Sequence, residues 1–159
     1  MRLLSEDGGS MAVLTVVLMP VILVVMTGVL ELGSVRLIAE RARIAADLAS
    51  VVAINDQDDA ELARTGVLRP AADAADVARA HFAAGLAALP ALAATPEAIA
   101  ASADVAVIQR ATFDPRSGRT QAAPMVRIAA DLPIQTPAFA VLLGRPVTVI
   151  HIWSASAAR

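Results

Sequence analysis

The chain has 159 residues, no cysteine, no lysine among its 13 basic residues, a net charge of -2, and only 3% aromatic residues, with one tryptophan and no tyrosine. These figures exclude disulfide scaffolds, thiol catalysis and cysteine metal sites. They also exclude the basic surface that binds nucleic acid by releasing counterions, and a platform of stacking aromatics. With a ten-residue leader and a span of twenty residues set aside, about 130 of the 159 remain, enough for one small domain and not two.

The first ten residues, MRLLSEDGGS, read as a leader in which Arg2 stands against Glu6 and Asp7. Residues 11–30, MAVLTVVLMPVILVVMTGVL, contain no charged side chain. At about 1.5 Å per residue, twenty residues cover the roughly 30 Å hydrocarbon layer, so the stretch reads as a membrane-spanning helix in contact with the lipid bilayer. A cleaved secretory signal fits poorly, because the apolar run is too long and no small-residue cleavage site follows Leu30. A helix buried in a soluble protein is the other alternative. Pro20 lies in mid-span, where it removes one backbone donor and produces a kink that lipid-embedded helices tolerate. Glu31 marks the end of the span. The leader's Arg2 is outnumbered by Arg36, Arg41 and Arg43 on the other side, so charge alone leans weakly towards a domain on the cytoplasmic side.

Residues 31–55 continue without a proline, and Leu32, Val35, Ile38, Ala42, Ala45, Ala49 and Val52 recur at steps of three and four as one apolar stripe. The helix therefore runs on as an amphipathic continuation. The small residues in its second half invite close approach by another helix or a sheet. Charges spaced three and four apart, among them Arg36, Glu40 and Arg43, occupy the solvated side.

Residues 56–102 form an acidic connector and a helical segment. The acidic run at 56–61 lacks the alternating oxygen ligands and the sixth-position glycine of a calcium loop, and reads as a solvated connector. Pro70 is expected to open a helix over 71–89 with Val77, His81, Phe82, Leu86 and Leu89 on its apolar face. His81 reads as the edge of a packing stripe. Residues 91–102 read as a low-complexity linker with a short helical turn.

From residue 103 to 159 the period changes to alternation, predicting an antiparallel sheet. A strand runs from 105 to about 113, a turn occupies 114–118, and a second strand covers 125–134 with Val126, Ile128, Ala130 and Leu132 on its core face. A short helix at 137–143 is capped by Gly144. The third strand, 147–156, is apolar on both faces and is expected to be central, with His151 half-buried beside Trp153.

The runs GGSMAVLTVVLMP (8–20) and RARIAADLASVVA (41–53) resemble the TadE/TadG-like family of tight-adherence (Flp, type IV-like) pilus assembly proteins, through Gly9, Ser10, Pro20, Arg41, Ala45, Ala46, Asp47 and the small residues that close the chain. The resemblance implies an α+β, pilin-like fold: a long N-terminal helix, transmembrane and then amphipathic, packed on a small antiparallel sheet of about three strands. It implies a single pass through the cytoplasmic (inner) membrane with the C-terminal domain extracytoplasmic. Its partners would be sister pilin-like subunits, the assembly platform, and a prepilin peptidase cutting after a glycine, so that the mature chain begins at Gly9 or Ser10. Relatives carry a glutamate at the fifth mature position, where cleavage after Gly9 or Gly8 would place Leu14 or Val13 here. The implied role is thus a minor or accessory component that stays anchored. The alternative is a signal-anchored extracytoplasmic binding module unrelated to pili. Neither G-x-S-x-G nor H-E-x-x-H occurs, so the expectation is a non-enzyme with no cofactor and no metal.

Overall fold

The computed structural model describes residues 7–116 and 118–158, so the first six leader residues and the closing arginine lie outside the described residues. Helix α1 (Asp7–Asn55) is 49 residues long and passes through Pro20 without interruption. At 1.5 Å per residue it is about 74 Å long, far more than one small domain can cover. The remaining elements gather on its C-terminal half: α2 (Asp59–Thr65), α3 (Ala74–Leu86), α4 (Pro96–Ser102), β1 (Asp104–Ile108), β2 (Phe113–Asp114), β3 (Arg119–Thr120), β4 (Met125–Gln135), α5 (Pro137–Leu143) and β5 (Val147–Ala157). The fold is α+β, a long apolar N-terminal helix packed on a small antiparallel sheet.

Strands β1, β4 and β5 form that sheet in the order β1-β4-β5, both pairings antiparallel. The expectation that the last strand is central is therefore corrected: β4 is central and β5 is an edge. Alternating burial explains the difference. On β5, Ile150, Ile152 and Ser154 turn towards α1, while Val149, His151 and Trp153 face outwards and are exposed. The outward face of β5 is apolar without being covered. On β4, Val126, Ile128, Ala130, Leu132 and Ile134 are buried, the inward set that a period of two requires. The turn at 114–118 is closed by Gly118 at φ 66° and joins β2 to β3 in a separate two-stranded hairpin.

The core lies between the sheet, the second half of α1, and α3. Val35, Ile38, Ala42, Ala46, Ala49 and Ala53 point into it from α1, and Ala78, Phe82 and Leu86 from α3. The stripe is corrected at one end: Leu32 is 45% exposed. Val52 and Ala45 are half-buried, and Ala46 and Ala53 are fully buried in a face that rotates slightly from the one expected. The cause is where the domain begins. Below Val35 the contact of the domain with α1 narrows to α5, which meets the helix at Glu31 and leaves Leu32 open. A Cβ built on Gly85 of α3 would lie 2.6 Å from the Ala45 Cβ, so the two helices approach as closely as a bare backbone permits.

Two connector expectations are also corrected. Only the last three residues of the acidic run, 59–61, turn helical as the start of α2, where the Asp58 side chain accepts from the Glu61 amide at 3.0 Å and caps the helix. Pro70 does not open α3; it bridges Gln57 in an antiparallel pairing held by Asp58 N–H to the Arg69 carbonyl and Ala71 N–H to the Asp56 carbonyl. Four residues later α3 starts, and His81 on it is exposed. The short turn expected within 91–102 is α4, capped by Thr95, whose hydroxyl accepts from the Ala98 amide.

Candidate functional site

Among the described residues, the first half of α1 carries the longest run of exposed large apolar side chains. From Val13 to Leu30 every large hydrophobic side chain is exposed, and a window of this helix with at most two charged residues is wholly unburied. By length and composition it is able to cross a membrane. The same helix from Val35 onwards is a core helix, so one continuous rod changes from exposed and apolar to buried within about one turn. Gly9 and Ser10 lie near the start of α1, ahead of this surface, and Pro20 lies within it. Local polar groups are handled inside the helix, as apolar surroundings require: the Thr27 hydroxyl donates to the Leu23 carbonyl at 2.8 Å and that of Ser34 to the Glu31 carbonyl at 2.8 Å.

At the changeover stands Glu31. Its two carboxylate oxygens accept from the Ala138 amide at 2.9 Å and the Phe139 amide at 2.7 Å. These are the first free donors of α5, which would otherwise lack partners. Thr136, at the N-cap of α5, makes no side-chain cap; its hydroxyl donates instead to the Arg145 carbonyl at 3.2 Å. The cap of α5 thus comes from α1. Helix α5 carries no charge, and Val141, Leu142 and Leu143 are exposed to 87%, 42% and 68%. The junction was missed in the sequence, where Glu31 read only as the end of an apolar run. Its position as the first carboxylate after that run was the available signal.

Higher along α1, three hydroxyls meet in the core interface with β5. Ser50 Oγ donates to the Asp47 carbonyl at 2.8 Å and lies 2.7 Å from Ser156 Oγ and 3.2 Å from Ser154 Oγ. Ser50 and Ser154 are buried. His151 Nδ1 lies 2.8 Å from an Asp131 carboxylate oxygen, with both side chains largely exposed. Since positions 151 and 154 alternate across the strand, the histidine pair and the serines Ser154 and Ser156 occupy opposite faces of the sheet. The outward face also holds a shallow cleft of about 360 Å³ bordered by Asp114, Arg116, Arg127, His151 and Trp153. Its positive charge is already matched: Arg127 pairs with the buried Asp114 at 2.9 Å, and Arg116 with Asp104 at 3.2 Å. Among the described residues, no group of three histidine, aspartate or glutamate side chains is placed to hold a metal ion.

The elements therefore define a class: a small α+β domain carried on a helix long and apolar enough to be a membrane anchor. No family model, curated protein or solved structure matches the chain.

Proposed function

We propose that the protein is a non-catalytic, membrane-anchored, pilin-like component of a tight-adherence (Flp, type IV-like) pilus assembly system, a minor pseudopilin or an accessory protein. One observation supports this above the rest: a single helix whose first half is exposed and apolar and whose second half is the spine of a sheet domain. A rod of that kind anchors a domain and offers a lengthwise surface for neighbouring subunits, with packing in the membrane driven by close contact of small and apolar side chains. The family resemblance of residues 8–20 and 41–53 supplies the pilus; the helix supplies the anchor. In this reading the domain is extracytoplasmic, the bilayer is the inner membrane, and a prepilin peptidase is the processing partner. Clean deletion of the gene is the test. Loss or thinning of surface pili, restored by the full chain, is expected; an unchanged pilus count would overturn the pilus reading.

The second reading, an anchored extracytoplasmic binding module unrelated to pili, draws on the outward sheet face, where Val149 and Trp153 are about 60% exposed beside the 360 Å³ cleft. Gene neighbourhood separates the two. A secretion ATPase and small apolar pilin genes alongside favour the first, and their absence the second.

A further inference from the structure

We propose that α5 is a second membrane contact, lying in the headgroup and acyl boundary of the same bilayer that α1 crosses, with Val141, Leu142 and Leu143 inserted. The inference rests on the reading of residues 13–30 as a membrane span, and three contacts along α1 locate it. Glu31, the residue directly after the span, holds the N-terminus of α5 at 2.7 and 2.9 Å. Further up, Glu40 and Arg43 flank Ile150 and Ile152 across a groove. Further still, Ser50 meets Ser154 and Ser156. Strand β5 consequently climbs away from the span, and α5, just before it in the chain, is the membrane-proximal end of the domain.

That position selects the occupant. Seven residues of α5 reach about 10 Å, so wherever Glu31 sits at the edge of the hydrocarbon, the whole of α5 sits within that distance of it. An apolar helix surface exposed to water in such a place has acyl chains as its nearest apolar neighbour. Exposed Arg145 follows α5 directly and exposed Arg36 stands about 7.5 Å along α1 from Glu31, both suited to headgroup phosphates while their stems stay apolar. With α1 and α5 both engaged, the domain is fixed against the bilayer in one orientation and not free to swing on its anchor.

The absence of cysteine makes the test direct. The full chain is reconstituted into phosphatidylcholine and phosphatidylglycerol vesicles with one spin label, introduced through Val141→Cys, Leu143→Cys, Ile22→Cys or Leu48→Cys, all at exposed positions. Collisions with oxygen and with a water-soluble nickel chelate then give the depth of each label. Labels at 141 and 143 are expected about 5–10 Å inside the interface, the range of amphipathic surface helices, with 22 deep in hydrocarbon and 48 in water. Labels at 141 and 143 as aqueous as that at 48, with 22 in lipid, would overturn the α5 contact and leave the anchor standing. Shielding at 141 and 143 from both reagents would overturn it in favour of a protein partner on that helix. A label at 22 in water would overturn the anchor, and the α5 contact with it.

Discussion

The Glu31 carboxylate accepts a 2.7 Å hydrogen bond from the Phe139 amide across 108 positions of sequence, and so one helix supplies the missing cap of another. Hydrogen bonds to a charged acceptor contribute about 1.5–3 kcal/mol each when partly buried. Glu31→Ala is therefore expected to loosen α5 without unfolding the core, raising hydrogen exchange at the Ala138 and Phe139 amides at least about tenfold, since 1.4 kcal/mol corresponds to a factor of ten. Glu31→Gln, which keeps one acceptor oxygen, should fall between. Unchanged exchange in Glu31→Ala would show that α5 is held by packing alone.

Gly85 and Ala45 set the distance between α3 and α1. A methyl group on Gly85 would meet the Ala45 Cβ at 2.6 Å, backed by the Ala45 Cα at 3.4 Å, and neither atom is the flexible end of a side chain. Gly85→Ala is expected to cost about 1–3 kcal/mol despite its better helix propensity. In an Ala45→Gly background the same change should cost distinctly less, because the opposing methyl is gone. Denaturant titrations of the four combinations read this coupling directly.

Asp114 and Arg127 form an ion pair with 3% and 12% of their side-chain surfaces exposed, and Arg127 Nε has no hydrogen-bond partner among the described residues. Removing only the carboxylate, with Asp114→Ala, leaves a buried guanidinium uncompensated, at a cost of about 3–5 kcal/mol. Asp114→Ala together with Arg127→Met is expected to be much milder. Equal losses in the single and double variants would mean that the carboxylate acts mainly through the turn it stabilises, where it also accepts from the Arg116 amide at 3.1 Å.

The buried hydroxyls behave similarly. Ser50→Ala removes the partner of Ser154, which is 3% exposed, and an unmade buried bond costs about 1–3 kcal/mol. Ser50→Ala with Ser154→Ala should recover in thermal unfolding the part of that loss that comes from the buried Ser154 hydroxyl, while the half-buried Ser156, 2.7 Å from Ser50, still loses its partner.

Much of the architecture is legible in residue patterning for a simple reason: a twenty-residue uncharged run and an alternating strand such as β4 carry their environment in their own composition. What depended on distant partners was not. Val147, Val149 and Trp153 have the same apolar character on a covered face as on a bare one, so β5 looked central. Pro70 looked like a helix start until Gln57, thirteen positions earlier, claimed its backbone. Leu32 continues the stripe in sequence, yet the one element that reaches α1 at this level among the described residues, α5, meets it at Glu31 and leaves Leu32 exposed. The Glu31 junction was illegible for the same cause, since no local pattern announces an acceptor for amides more than a hundred positions away.

The arrangement of anchor and domain is tested most directly by labelling single cysteines in native membranes with a maleimide that cannot cross bilayers. Introduced through Ile22→Cys, a cysteine is expected to stay unreactive in intact spheroplasts and in opened membranes until detergent is added. Introduced through His81→Cys, on the exposed side of α3, one should react in intact spheroplasts. Reaction at position 22 without detergent would contradict the membrane span, and reaction at position 81 only after the membrane is opened would contradict an extracytoplasmic domain.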